Sequence, residues 1–490
     1  MQYHSTRGRA PAVDSAQAVL DGLAPDGGLY LPETMPVLDW QACVRSQPLE
    51  MAEQILSAFL PDIPDMGELV RRAYQGKFEA EALTPTVPVG DFTVLELFRG
   101  PTSAFKDVAL SMLPQLMTAA RRVKGLRQPL LILTATSGDT GKAALEGFRD
   151  VPGTHVCVFY PDGGVSQVQR RQMVSQQGQN VTVCAVRGNF DDAQTGVKEI
   201  FSACQGRALP FRLSSANSIN IGRLVPQITY YFKAYRDLLD SGRIRMGDTV
   251  NFSVPTGNFG DILAGFLAKQ LSLPVGRLIC ASNANHVLTD LIRTGVYDRR
   301  RPLHKTASPS MDILVSSNLE RLLFLLSGEP APVAGWMAQL SQDGCYTLPQ
   351  PLLAQVQAHF WADWCNDAQG AEVIGRVWRQ YGYLCDTHTA AGWFAAENYV
   401  NQTGDTRPMV VLSTASPYKF PGAVLSAIGG GVQGDEFSQM ALLETLTGVN
   451  IPKNLAGLRE MPQRHTGVIA RDEMLEFVLA LCGSGKEETL

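Results

Sequence analysis

The sequence predicts an α/β protein built on parallel sheets, and two observations carry that prediction. From residue 130 onward, short apolar, β-branched runs (LLILTAT, HVCVFYP, NVTVCAV) are each followed by a turn and a stretch with helical spacing (GKAALEGF, SQVQRRQMV, DAQTGVKEIF). The same alternation returns in TVNFSVP before GDILAGFLAKQL, then in RLICAS and PMVVLST. Continuous apolar strands alternating with helices mark a parallel sheet covered on both faces. At least two such sheets, hence two α/β lobes, are expected after an N-terminal, mainly helical region.

The elements follow in order. SAQAVLDGL, QPLEMAEQILSAFL and MGELVRRAYQGKF place apolar residues at helical spacing, with the Gly/Pro-rich loop APDGGLYLPETMP between the first two. VLELF is the first β-type run. Residues 305–380 read as mainly helical (NLERLLFLLSG, LLAQVQAHFWADW, AEVIGRVWRQYG). The expected division is therefore residues 1–90, mainly helical; residues 91–235, a smaller α/β lobe; and residues 236–490, a larger α/β lobe ending in helices.

Composition narrows the function classes. The 490-residue chain is long enough for two or three domains and large cores. A net charge of -5 argues against a nucleic-acid partner, and the one basic run, Arg299-Arg300-Arg301, reads as a solvated loop. The nine cysteines are scattered without a CxxC pair, which fits packed thiols in a reducing compartment and neither a disulfide framework nor a metal site. No secretory leader is visible, and no apolar run reaches the roughly 18 residues of a membrane span, so a cytoplasmic protein with no membrane partner is expected.

Three strand-to-helix loops are unusual, and parallel sheets bind ligands at such loops. In TATSGDTGKAA, residues Ser137, Gly138, Asp139, Thr140 and Gly141 open a helix. Its amides and hydroxyls suit an anion, and equally a plain capped turn. A nucleotide-binding GxxxxGK[ST] loop fails here twice, because Thr136 stands at the first glycine and Ala143 follows Lys142. In VPTGNFGDILAG, residues Gly257, Asn258, Phe259 and Gly260 let several amides converge on one phosphate, or simply turn the chain. In LSTASPYKF, Ser413 and Thr414 present hydroxyls at the end of a buried strand. The run GGGVQG at 429–434 fits GxGxxG, but it follows no good strand and carries no dinucleotide reading.

One lysine stands in odd company. In GPTSAFKDVALSML, Pro101, Thr102 and Ser103 read as helix-start residues, so Lys106 falls in or beside a first helical turn. The helix dipole and the neighbouring apolar residues both disfavour its ammonium form. A neutral amine is the form that attacks an aldehyde. The alternative is a packed stem with its charge in water. Together the pieces suit pyridoxal phosphate, which needs an amine for its aldehyde, an amide cradle for its phosphate and a partner for its ring nitrogen. Lys106, Gly257–Gly260 and Thr414 would supply these in turn.

These stretches, with YHSTRG, DGGLYLPE, LELFRGPTSAFKD, GNFDD, SSANSINIGRLVPQ and SPSMDI, span nearly the whole chain. On them the sequence resembles the threonine synthase family. The resemblance implies a fold-type II pyridoxal phosphate enzyme, tryptophan synthase β-like in architecture. It is to the microbial and fungal branch, without the S-adenosylmethionine-regulated extension of plant-type enzymes, and it suggests a monomer. It implies conversion of O-phospho-L-homoserine and water to L-threonine and phosphate, with Lys106 carrying the cofactor and moving protons. Asp261 joins Gly257–Gly260 in the implied cofactor set, with Thr414 at the ring nitrogen. Ser137, Asp139 and Thr140 would hold the substrate carboxylate, and Ser218, Asn220 and Arg223 its phosphate; Lys142 either assists or is a solvated helix lysine. Two departures stand out: Arg99 occupies the place of a histidine in FHGPT, and TASPYKF replaces TAHPAKF. A permanently charged guanidinium cannot shuttle protons near neutral pH. A phospho-lyase releasing 2-oxobutyrate and ammonia, and a non-catalytic binder of the cofactor or of a partner protein, are the competing readings.

Overall fold

The computed structural model describes residues 1–136, 138–204, 206–207 and 209–483. Two sheets organise it. The larger has six strands in the order Phe360–Trp364, Val275–Ser282, Val250–Pro255, Met409–Ser413, Phe92–Glu96 and Thr86–Val89. Its pairs are parallel except the last, which is antiparallel. The smaller has five parallel strands in the order Val468–Ile469, Val181–Val186, Thr154–Pro161, Leu130–Ala135 and Arg212–Ser215.

Strand side chains alternate between cores, as a period of two requires. Leu130 and Ile132 join the core shared with the larger sheet, while Leu131 and Leu133 join the outer core of the smaller lobe. Likewise Val410 and Leu412 face the shared core, and Met409 and Val411 face an outer one with Trp393 and Ala396. Helix Lys106–Val123 lies in the shared core, and every residue from Asp107 to Ala120 is buried. A helix apolar all round needs neighbours on every side. One neighbour, helix Asp139–Phe148, comes so close that a Cβ on Gly147 would lie 2.0 Å from the Leu110 carbonyl oxygen.

The structure adds to or corrects the sequence reading in four places. The mainly helical N-terminal region also carries short strands: Gln2–Ser5 pairs antiparallel with Val13–Asp14 and Tyr30–Pro32. Strands this short show no period, and their partners are distant in sequence. HFWADW does not continue a helix, because helix Gln350–His359 stops and Phe360–Trp364 becomes the edge strand of the larger sheet. Arg212–Ser215, with no apolar alternation, is a further strand. Strand pairing also does not follow the boundaries at 91 and 236. Phe92–Glu96 belongs to the larger sheet, and near the C-terminus Val468–Ile469 returns to the smaller one. Gly429 of the GGGVQG run is the left-handed C-cap of helix Pro421–Ile428, a helix end and not a strand-to-helix turn. Among the described residues no helix is long and apolar enough to cross a membrane.

The helix crossing supplies a test. Gly147→Ala forces two backbones apart at a close-packed contact. It is expected to lower the free energy of unfolding by about 1–3 kcal/mol, read from the urea midpoint.

Candidate active site

The loops singled out in the sequence meet at the carboxyl ends of the two sheets. The turn before Lys106 is sewn to the loop after strand Met409–Ser413: Phe105 N–H donates to the Thr414 carbonyl at 2.8 Å, Leu97 N–H donates to the Ser413 carbonyl, and Ala104 bridges Ala415. The capping differs from the sequence reading. Phe105 takes the N-cap position with helical dihedrals and no side-chain cap. The Asp107 carboxylate instead reaches back, accepting from Thr102 N–H at 2.9 Å and Thr102 Oγ1 at 2.5 Å. Ser103 is held at φ 59°, and Asn454 fixes it by accepting from its hydroxyl and donating to the Gly100 carbonyl. Gly100 is needed because a Cβ there would meet Asp107 at 2.5 Å.

Lys106 is half-buried, and protein atoms strip most water from its amine. The Nζ atom lies 4.6 Å from the centroid of the Phe105 ring and 3.5 Å from Ser310 Oγ. Burial lowers its pKa to about 8; Asp139 opposes that fall, while Lys419 and Arg223 add to it. Burial also pushes Asp107 up to about 6 despite its bonds to Thr102.

Asp139 opens helix Asp139–Phe148 and is buried. It accepts from Lys419 Nζ at 2.5 Å and Gln169 Nε2 at 2.9 Å. Burial raises its pKa, but Lys419 and Lys106 outweigh that and hold it well below the usual carboxylate range. Two of the loop amides expected to face an anion are already engaged: Gly138 and Gly141 N–H donate to Thr136 Oγ1 at 3.0 and 2.9 Å. Thr140 lies in the first turn of this helix, and Ser137 lies outside the described residues. Lys142 is held by Glu146 and Gln176.

The GNFG loop turns at Phe259, whose φ is 62°, into helix Gly260–Gln270. A Cβ on Gly257 would lie 2.6 Å from the Ser310 carbonyl oxygen, so the close approach of the Ser310 loop requires glycine there. The Gly257 carbonyl accepts from Ser316 Oγ, and the exposed Asn258 has its carbonyl bound by Asn318. Asp261 is directed elsewhere. Its Oδ1 accepts from Tyr230 at 2.6 Å and Tyr231 at 3.0 Å, its Oδ2 has no partner, and burial raises it to about 6.

On the remaining loop, both ends of the Asn220 side chain serve structure: Oδ1 caps Gly222 N–H and Nδ2 donates to the Val19 carbonyl. Ser218 accepts through its carbonyl from Asn318. Arg223 is buried, donates to the Ala216 carbonyl at 2.5 Å and keeps a buried Nε without a partner. Burial lowers its pKa to about 10. Arg99 turns to Glu96 at 2.8 Å and Glu79 at 3.4 Å, which neutralise it.

Sequence reasoning missed several groups. Lys419 and Ser310 stand inside the quoted LSTASPYKF and SPSMDI without a role being read for them. Asn318 and the buried Arg321, whose Nη1 donates to Asn318 Oδ1 at 2.5 Å, brace two loops at once and belong to no motif. Neither does the buried pair Asp386 and His388, joined at 2.7 Å. A separate cleft of about 630 Å³, lined by Arg277, Arg293 and Arg407, lies at the opposite, amino ends of the large-sheet strands.

The arrangement is that of a fold-type II α/β enzyme, two parallel-sheet lobes that meet beside Lys106. The family domains described as "Threonine synthase N terminus" and "Threonine synthase, C-terminal" match residues 2–74 and 389–478. The threonine synthase of Pseudomonas aeruginosa is 42% identical over 435 residues, covering 87% of this chain and 90% of that protein. Threonine synthase-like 1 of Homo sapiens is 38% identical over 434 residues; the match takes in 84% of this chain and only 58% of that relative's length. The crystal structure of pyridoxal phosphate-bound threonine synthase from Brucella melitensis superposes with a TM-score of 0.87 at 39% identity, covering 98% of this chain and 99% of that one. The chain belongs to the threonine synthase family.

Two outcomes test the electrostatics. Labelling of Lys106 by an amine-reactive reagent, followed by peptide mass spectrometry, should be half-maximal near pH 8. Its lowered pKa means that the unfolded chain binds more protons between about 8 and 10.4, so this group makes stability rise with pH across that window. Lys419→Met leaves Asp139 buried without its main cation and should cost about 3–5 kcal/mol at neutral pH. A carboxylate with a depressed folded pKa contributes stability above its unfolded value of about 3.9 and loses it as pH falls. The difference between wild type and Lys419→Met, measured by urea unfolding, should therefore shrink as pH falls below about 4.

Proposed function

We propose that this protein converts O-phospho-L-homoserine and water into L-threonine and phosphate, with pyridoxal phosphate carried on Lys106. The observation that supports this best is an enclosed amine of lowered pKa set beside a glycine cradle and a buried, incompletely paired arginine. Those residues fit the cofactor: an amine for its aldehyde, a Cβ-free turn at Gly257 with Asn258, Phe259 and Gly260 for its phosphate, and Thr414 for its ring nitrogen. Asp261 acts behind the cradle through Tyr230 and Tyr231.

When bound, the cofactor withdraws electron density from the bonds at the substrate Cα. The Lys106 amine then takes the proton from Cα onto Nζ and manages protons at Cβ and Cγ as phosphate leaves Cγ and water adds at Cβ. An amine with a pKa of about 8 both accepts and returns protons near neutral pH. Arg223 binds the substrate phosphate, its unpartnered Nε supplying a charge-assisted donor. Asn220 shapes that loop through its bonds to Val19 and Gly222, with Ser218 beside it. Asp139 and Thr140, with Ser137, bound the carboxylate end, and Lys419 keeps Asp139 ionised. The net charge of -5 supports the absence of a nucleic-acid partner, the scattered cysteines and the lack of a long apolar run support a cytoplasmic enzyme without a membrane partner, and the family resemblance supports a monomer.

The test is to supply O-phospho-L-homoserine to the pyridoxal phosphate-loaded protein and identify the carbon product beside released phosphate. Threonine is expected; 2-oxobutyrate would establish the phospho-lyase reading, and no phosphate release would overturn both. Lys106→Ala should abolish turnover. Arg223→Met should lower kcat/KM about 10- to 100-fold, the loss of one hydrogen bond to a charged group.

A further inference from the structure

The loop around Ser310, part of the SPSMDI motif, is braced from several sides near Lys106, and the reaction gives it no task. Ser310 meets three parts of the site. Its Oγ lies 3.5 Å from Lys106 Nζ. Its carbonyl oxygen occupies the space that a Cβ on Gly257 would need. Its N–H donates to His388 Nε2 at 3.2 Å.

The last bond determines the histidine's tautomer. A backbone N–H can only donate, so Nε2 must be unprotonated and Nδ1 must carry the hydrogen. Nδ1 accordingly donates to Asp386 Oδ2 at 2.7 Å. Asp386 is itself immobilised as the N-cap of helix Thr387–Thr403, accepting from His388 and Thr389 N–H at 3.0 Å each. The same helix start pins the loop again through Thr387 Oγ1 and the Ala307 carbonyl at 2.7 Å. From the other side Asn283 Nδ2 donates to Thr306 Oγ1 and Asp312 Oδ1, both at 2.8 Å. Besides Asp386, the charged group facing His388 is Asp312, and the Phe420 ring lies 5.1 Å away. Around Lys106 the charged groups are Asp139, Asp107, Asp261, Lys419 and Arg223.

We propose that Ser310 is a further catalytic residue whose hydroxyl orients the Lys106 amine, and that Asp386 and His388 are positioning residues that fix Ser310. The inference rests on the threonine synthase reading of the site. When the amine is free, one Nζ–H donates to Ser310 Oγ, which turns the nitrogen lone pair toward the substrate. The lone pair becomes an N–H bond as the proton leaves carbon, and the same N–H···Oγ contact holds the resulting ammonium until it returns a proton. Ser310 gains and loses no proton in this cycle.

The experiment uses the pyridoxal phosphate-loaded full chain as wild type, Ser310→Ala, Ser310→Thr, His388→Leu, His388→Gln and the double variant Ser310→Ala/His388→Leu. It measures kcat and KM for O-phospho-L-homoserine and the pH midpoint of the visible absorbance of the cofactor on Lys106. Ser310→Ala is expected to lower kcat about 10- to 100-fold with KM changed less than about threefold. It should also move the absorbance midpoint down by about half a pH unit or more, since the protonated nitrogen loses an acceptor. Ser310→Thr and His388→Gln, which keep a hydroxyl and an acceptor, should recover much of both. His388→Leu should resemble Ser310→Ala, and the double variant should be little worse than either, as expected for groups acting in series. A Ser310→Ala enzyme with kcat within about twofold of wild type and an unmoved midpoint overturns the proposal. If His388→Leu does not fold, Ser310→Ala alone decides. If the wild type shows the absorbance but makes no threonine, the proposed function fails, while the midpoints still judge the contact at Nζ.

Discussion

The ion pair between Asp139 and Lys419 is the constraint on which the site depends. Asp139 follows a strand of the smaller sheet, and Lys419 follows a strand of the larger one. Both are buried, and Lys419 has no exposed surface at all. Two charges removed from water are tolerable only when paired and hydrogen-bonded. The pair therefore couples the two lobes beside Lys106, with Gln169 completing Asp139 and the Thr102 carbonyl accepting from Lys419 at 3.3 Å. It also sets the field in which Lys106 titrates: one carboxylate that favours the ammonium and one cation that opposes it.

Around that pair the backbone is held in costly conformations. Ser103 and Phe259 both lie at positive φ, and each borders a loop of the site. Such residues persist only where surrounding structure over-determines them. Here the surroundings are explicit: Asn454 clamps the first turn, and Asn318 with Arg321 clamps the second. Rigid parallel strands end in these turns, so ligand-facing atoms are placed by the sheets and not by flexible side chains.

Membership in the threonine synthase family and the geometry of Lys106 agree, and they constrain different things. The family identifies a chemistry. The geometry shows which polar atoms of this chain are already engaged. Asn220 and Asp261 read as ligand-binding in the sequence; Asn220 Oδ1 and Nδ2 serve Gly222 and Val19, and Asp261 Oδ1 serves Tyr230 and Tyr231, which leaves Asp261 Oδ2 without a partner. Arg223 is the group in that set with an unmet buried donor. Arg99, at the place where the resemblance expects a histidine, is paired with Glu96 and Glu79.

The sequence by itself determined the α/β class and the strand-to-helix loops, and it singled out Lys106 as a candidate. Each of these is written locally, in a strand pattern of continuous apolar residues, in glycines at turns and in a lysine at a helix start. Only the tertiary structure decided which distant residues share a site. Lys419 reaches Asp139 across 280 positions of sequence, and His388 reaches Ser310 across 78. No local pattern announces such partners, because burial and pairing are properties of the assembled core. The same reason explains the misplaced strands. Gln2–Ser5 and Phe360–Trp364 are extended because a neighbouring strand accepts their hydrogen bonds, and that neighbour is supplied by the fold.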